Sequence, residues 1–360
     1  MNFIIKLKKI IGNLIKLFEK YSRFFSSSGL ILGLIITPLT LTRVDNLTNN
    51  LWILIQLFIA VFGIIFLHYL DNKVKAGKIK SEYGNDIDFW LTFIIQFAFG
   101  NLFSTYIVFY FRSSTLFLSW PFILIIFALL IGNEIWVKHY SKLTLQLVTL
   151  FLSVYMFLIY LLPVFFGRIG DDVFIYSGIL SLFFIWLIAK ILIIFAKEKF
   201  VKSKRGLIYS ILGTFIIMNG MYFGNIIPPI PLALKDAGVY RFVSKDKNGE
   251  YILKGEMKTW RDYFRVYEIY HKIEGEPTYV FTSIFSPTKF DTKIIHEWQY
   301  YDEIKKEWIT SGRVNLSIVG GRDDGYRTYS EKYSVSLGEW RVNILTLKGK
   351  VIGRVNFRVE

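Results

Sequence analysis

Ile226-Ile227-Pro228-Pro229-Ile230-Pro231 divides this 360-residue chain into two kinds of sequence. Proline cannot continue a helical hydrogen-bond ladder, and closely spaced prolines favour a stiff, extended path. Before Pro228, from about Phe24, long apolar runs follow one another with few charges inside them. After Pro231, apolar and polar residues alternate in short segments broken by Gly, Asp and Asn. The two textures predict a membrane all-α helical bundle followed by an all-β, immunoglobulin-like sandwich. The expected division is a basic amphipathic helix over 1–23, a transmembrane domain over 24–227, a proline-rich linker over 228–231 and a β-sandwich over 232–360.

Crossing a hydrocarbon core about 30 Å thick takes roughly 20 mostly apolar residues. Seven runs qualify as expected spans: Phe24–Thr42, Leu51–Leu70, Phe89–Phe111, Leu116–Val137, Leu143–Phe166, Ile175–Ala196 and Leu207–Ile227. None shows the period-two alternation of a lipid-facing barrel strand, so helices are expected.

The connecting segments alternate in charge. Lys6, Lys8, Lys9, Lys16, Lys20 and Arg23 precede the first run. Lys73, Lys75, Lys78 and Lys80, then Lys138 and Lys142, then Lys197, Lys199, Lys202, Lys204 and Arg205 occupy every second connection. The intervening connections hold only Arg43, Arg112 and Arg168. Basic residues collect in cytoplasmic loops. The expected topology is therefore a multi-pass cytoplasmic (inner) membrane protein with its N-terminus inside and its C-terminal domain extracytoplasmic. The apolar residues of the first 23 positions fall at helical spacing among lysines, which suits a helix lying on the inner leaflet. The net charge of +15 sits largely in these loops, a distribution that argues against a nucleic-acid partner. The absence of cysteine excludes disulfide and thiolate chemistry.

Eight strands are expected beyond the prolines: Val239–Val243, Tyr251–Lys254, Thr278–Phe285, Lys293–Tyr301, Trp308–Val319, Tyr326–Tyr333, Glu339–Leu347 and Val351–Val359. The first two flank Lys247-Asn248-Gly249 and read as a hairpin. Arg-Val-Asn recurs at Arg313–Asn315, Arg341–Asn343 and Arg354–Asn356. If each valine faces the core, each Arg and Asn lies on the outer face.

The stretch Pro228–Tyr240, His296-Glu297-Trp298, Gly320–Arg327, Gly338–Val342, Gly353-Arg354 and Phe357-Arg358-Val359 together resemble bacterial polytopic membrane proteins carrying the domain of unknown function 2914. The resemblance is specific over about Tyr279–Glu360 and looser over the helices. It implies a C-terminal β-domain on a polytopic membrane anchor and supplies no activity.

Two constellations of the β-region are candidate binding sites. The loop Gly320–Arg327, with its Arg322 and Arg327, joins the outward Arg313, Arg341, Arg354 and Arg358. Guanidinium forks suit carboxylate or phosphate, and Gly320, Gly321 and Gly325 permit close backbone approach. An anionic envelope polymer, a lipid headgroup or an acidic protein partner would fit. The second is the strand face carrying His296 and Trp298, which resembles an aromatic sugar-binding surface and equally an ordinary sandwich core.

Within the apolar runs Glu134 and Lys190 form a candidate pair, with snorkelling of Lys190 to the headgroups as the alternative. Gln56, His68, Gln96, Asn101, Asn133, Asn219 and Asn225 would line a pore or hydrogen-bond between helices. Catalysis finds little support: His296-Glu297-Trp298 lacks the second histidine of a helical zinc motif. Asp171 and Asp172 suit a cation or a solvated turn. No cofactor or metal is expected. The expected role is a non-enzymatic envelope protein whose partners are the lipid bilayer and an anionic envelope component or protein. The alternatives are lipid or small-solute translocation with the sandwich as a lid, and an interfacial enzyme acting on lipid-linked glycans.

Overall fold

A computed structural model of the chain describes residues 46–79, 81–113, 116–135, 143–229, 231–247, 250–256, 267–287, 292–320 and 325–360. Among the described residues five helices precede the strands: α1 (Leu47–Lys75), α2 (Ser81–Ser113), α3 (Leu116–Ile135), α4 (Leu143–Phe166) and α5 (Asp171–Phe223). Asn46 caps α1, its side-chain oxygen accepting from Thr48 N at 2.9 Å, and Lys73 and Lys75 complement the negative end of that helix. Four of the five, α1, α2 within Trp90–Phe111, α4 and α5, are long and apolar enough to cross a membrane by length and composition.

Among the described residues the expected seven spans are not supported as such. The run Phe24–Thr42 lies outside the described residues, as does the helix expected over 1–23. In α3 the described apolar stretch is only Ser119–Asn133. The runs Ile175–Ala196 and Leu207–Ile227 belong to one helical element, because the charged stretch between them is itself helical. A straight helix of 53 residues would extend about 80 Å. Instead the element doubles back at Ala196, whose φ of −139° and ψ of 41° are not helical. The rings of Phe174 and Tyr222 stack at 3.7 Å, and Tyr222 Oη donates to Asp171 Oδ1 at 2.9 Å. The two halves of α5 therefore lie side by side.

Helix α4 is the centre of the bundle. Its most apolar window is 78% buried, against 28% for α5. The outer helices turn Phe58, Phe62, Phe97, Phe183, Ile194 and Ile216 outward. Such a belt is far larger than the apolar patches of a water-exposed surface. Polar groups inside the bundle bind helix to helix. Tyr106 Oη donates to Ser153 O at 2.7 Å, and His68 Nε2 lies 2.8 Å from Gln146 Oε1. Gln96 and Asn133 exchange side-chain-to-backbone bonds of 3.2 and 3.0 Å, stapling α2 to α3.

The described residues of the β-region form ten strands: β1 (Ala233–Tyr240), β2 (Phe242–Lys245), β3 (Tyr251–Lys254), β4 (Glu268–Tyr270), β5 (Thr278–Phe285), β6 (Thr292–Asp302), β7 (Glu307–Ile318), β8 (Tyr326–Lys332), β9 (Gly338–Thr346) and β10 (Val351–Val359). They form a three-stranded sheet, β1-β5-β8, a five-stranded sheet, β4-β10-β9-β6-β7, and the small hairpin β2-β3. One core is shared by both larger sheets. Val239, Val280 and Ile284 from the first meet Ile294, Trp298, Trp340, Val342, Ile344, Val355 and Phe357 from the second. β1 and the short β4 were not anticipated in these forms. β4 pairs in parallel with the end of β10.

The sandwich is docked on the helices by charge. The turn between β9 and β10 carries Lys348 and Lys350 to the start and end of α5. Lys350 is 8% exposed; its Nζ donates to Tyr222 O at 2.8 Å and lies 4.2 Å from the Tyr222 ring centroid. A cation is favoured there because it meets the negative end of a helix, where Tyr222 O also accepts from Asn225 N at 3.1 Å. Asp172 accepts Arg168 at 2.6 Å and Lys348 at 3.5 Å. Asp171 and Asp172 are thus occupied by the protein's own cations and by Tyr222.

Candidate binding face of the five-stranded sheet

Alternation along β7, β9 and β10 places valines inward and arginines outward, and the sheet order then sets them in rows. Register pairs Arg313 with Glu297, Glu297 with Asn343, and Asn343 with Arg354. One row of the outer face therefore reads Arg313, Glu297, Asn343, Arg354 across β7, β6, β9 and β10. The adjacent row brings Gln299 opposite Arg341.

Hydrogen bonds follow the rows. Arg313 donates to Glu297 Oε1 from Nε at 2.9 Å and from Nη2 at 2.6 Å. Asn343 Nδ2 donates to Glu297 Oε2 and to Gln299 Oε1, each at 3.1 Å. Arg341 Nε donates to Gln299 Oε1 at 2.7 Å, and Arg354 Nε to Asn343 Oδ1 at 2.7 Å. The Arg341 guanidinium carbon sits 4.2 Å from the Trp308 ring centroid, stacking as a guanidinium does on an aromatic face. Among the described hydrogen bonds, Glu297, 6% exposed, is the one carboxylate in this network of three arginines.

The electrostatics follow from that ratio. Burial, with the neighbouring Arg354 guanidinium, pushes Arg341 down to about 10, while Glu297 pulls the other way. Burial also lowers Arg354, again opposed by Glu297. Both remain cations at neutral pH. Among the described residues, Arg341 makes only the Gln299 bond and the Trp308 stack, which leaves its two Nη nitrogens to an incoming acceptor. A planar fork with two donors pointing one way is suited to a carboxylate or phosphate.

The anticipated residues divide. Arg313, Arg341 and Arg354 converge. Arg358 lies further along the outer face of β10, 3.8 Å from Glu360. Arg327 does not join them: the chain crosses from β7 to β8, placing it in the other sheet, where its backbone oxygen accepts from Tyr251 Oη at 3.1 Å. Arg322 lies outside the described residues.

His296 and Trp298, 0% and 1% exposed, point between the sheets, so the surface sugar-binding reading of this pair is corrected. His296 Nδ1 lies 2.9 Å from Ser330 Oγ and Nε2 lies 3.1 Å from Thr282 Oγ1. Trp298 Nε1 donates to Ser330 Oγ at 3.0 Å. This is an inter-sheet clasp, and burial pushes the His296 imidazole down to about 3. Lys190 lies over Trp186 of its own helix, 5.4 Å from the ring centroid. Glu134 stands in α3, with its side chain outside what is described.

Glu297, Gln299, Asn343 and Trp308 were missed as participants. The alternation put Glu297 and Gln299 on the outer face; only the β6-β7 and β6-β9 registers show what they meet.

Residues 291–359 match the family described as protein of unknown function, DUF2914. The matched stretch spans β6 to β10 and so contains the entire arginine network. Among solved structures, an immunoglobulin-like protein from Pseudomonas aeruginosa is similar at 9% identity, covering 36% of this chain and 96% of its own, with a TM-score of 0.22. No curated protein matches the chain.

Proposed function

We propose that this is a non-enzymatic envelope protein whose helices anchor it in the cytoplasmic membrane and display the β-sandwich on the extracytoplasmic side. There the outer face of the five-stranded sheet binds an anionic envelope component. The loop charges support this orientation. The two-fold passage of α5 supports it too, since it keeps the basic stretch Lys197–Arg205 on the same side as Lys73 and Lys75; Lys199 pairs with Asp71 at 2.9 Å. The observation that carries the binding reading is that the buried Glu297 carboxylate bonds Arg313, while Arg341 and Arg354 are held in the same network by the neutral amides of Gln299 and Asn343. Arg341 keeps both Nη nitrogens outside the bonds it makes among the described residues, and its side chain is already fixed by Gln299 and Trp308, so little ordering entropy is lost on binding.

The test uses the full chain in detergent, with immobilised polyglycerolphosphate and polygalacturonate as phosphate and carboxylate polymers. Capture that weakens with salt and falls about tenfold or more in Arg341→Gln and Arg354→Gln supports the reading. Equal capture by the wild type and both variants would sink it. Translocation by the helices stays the second reading: Gln96, Asn133 and Asn219 bond within the bundle, whereas the buried Gln56 Oε1, His68 Nδ1 and Asn225 Oδ1 have no hydrogen-bond partner among the described residues.

A further inference from the structure

The helical bundle has a second feature with the chemistry of a site. A cleft of about 510 Å³ opens between the start of α4 and the part of α5 just past its bend, lined by Leu143, Leu145, Val148, Thr144, Lys199, Lys202, Ser203 and Ser210. Its walls are of two kinds. Leu143, Leu145 and Val148 of α4 make an apolar wall, while Lys199, Lys202, Ser203 and Ser210 of α5, with Thr144 of α4, supply two cations and three hydroxyls. Lys199 is held by Asp71 at 2.9 Å, and Asp71 is shared with Lys75 at 3.3 Å. Lys202 makes no ion pair among the described residues and is exposed. Beside the cleft, α5 turns Val201, Ile208, Tyr209 and Leu212 outward, 44–74% exposed.

We infer that this cleft binds an anionic phospholipid, its phosphate against Lys202 and the hydroxyls of Ser203 and Thr144, and an acyl chain along Leu145 and Val148. A free phosphate would use the lysine and leave the apolar wall wet. A neutral lipid would use the apolar wall and leave Lys202 without a counter-charge. Only an amphiphile with a negative headgroup satisfies both walls, and basic pockets between membrane helices select such lipids. The inference needs the helices to sit in a bilayer. It does not need the arginine face, which is tested with different variants and a soluble polymer.

The full chain, purified in mild detergent, is incubated with equimolar phosphatidylglycerol and phosphatidylcholine, and the lipid retained per protein is counted by mass spectrometry. Phosphatidylglycerol is expected to be retained over phosphatidylcholine, and Lys202→Ala to lower that retention about fivefold, the weight of one lysine at a lipid surface. Val148→Trp, which fills the cleft at the apolar wall, should abolish it. Arg205→Ala, a neighbouring cation that does not line the cleft, should leave it unchanged. Lys202 is exposed, so its variant carries the test even if Val148→Trp does not fold. Equal retention of the two lipids, no change in Lys202→Ala, or the same loss in Arg205→Ala overturns the inference. Displacement by an equal concentration of glycerol phosphate would identify a site for free phosphate and overturn it too.

Discussion

Acidification should loosen the sandwich through one residue, His296. The imidazole is held at about 3 in the folded protein, against an ordinary value of 6.5, because it is buried between the sheets. As pH falls below 6.5 the unfolded chain takes up a proton that the folded chain refuses. The unfolded state then binds more protons, so stability rises with pH across this window. The contribution is intact above about pH 6.5, declines from there to about pH 3 and is level below. Each pH unit inside the window costs about 1.4 kcal/mol, so going from pH 7 to pH 5 costs about 2 kcal/mol. The assay is hydrogen exchange of the β6 segment in the full chain, corrected for the intrinsic pH dependence of exchange, for the wild type and for His296→Gln. Glutamine keeps a donor and an acceptor near Thr282 and Ser330 but does not titrate. The carboxylates contribute alike to both proteins and cancel in the difference. The wild type should lose about 2 kcal/mol more opening free energy than the variant between the two pH values. Identical pH slopes would refute the assignment of the effect to His296.

Replacing Glu297 by Gln should weaken the sandwich by roughly 1–3 kcal/mol, since Arg313 loses a charged partner, while strengthening polyanion capture and steepening its salt dependence; chemical denaturation and the capture assay read the two opposite signs. Gly325 has a φ of +86°, and an added Cβ would come within 2.9 Å of the Ile284 carbonyl carbon; Gly325→Ala should therefore cost about 1–3 kcal/mol, measured as a lower thermal midpoint. Lys350→Met keeps most of the buried stem and removes the bond to Tyr222 O, so exchange protection of the β9–β10 turn should fall by roughly 1.5–3 kcal/mol while the β6 segment stays unchanged.

Much of the sandwich was legible because one face of each strand is buried, and burial writes itself as alternation. β5 and β10 fall at the anticipated residues, and the inward set Trp340, Val342 and Ile344 is the core. What alternation does not encode is which outer residue stands beside which. Glu297 looks like an ordinary solvated glutamate until β7 and β9 are laid on either side of it. Then it becomes the shared anion of Arg313 and Asn343. His296 was ambiguous for a related reason: a polar residue on the inner face is readable as a site or as a clasp, and only Thr282 and Ser330 from the opposite sheet decide. In the helical part, hydropathy marked where apolar helix lies and charge suggested where it stops. The stretch Lys197–Arg205 shows why the second signal fails. Lys, Glu and Arg are good helix formers, so a basic segment stays helical up to a bend that Ala196 gives no sequence sign of providing.

The same hairpin connects the two halves of the chain and carries most of the candidate site. Its turn sets Lys348 and Lys350 against the ends of α5, and its strands hold Arg341, Asn343 and Arg354. Arg354 is four residues beyond Lys350, about 13 Å along the strand. That distance exceeds the roughly 8–10 Å over which exposed charges are felt at physiological salt. With the helices in a bilayer as proposed, the arginine face would be far enough from the helix ends for anionic headgroups to be largely screened, and near enough to be held by a stiff two-stranded ladder. A site on a flexible tether would lose orientation when its ligand bound. One mounted on this hairpin keeps it, because the Lys350 bond to Tyr222 and the Arg354 bond to Asn343 fix the ladder at both places.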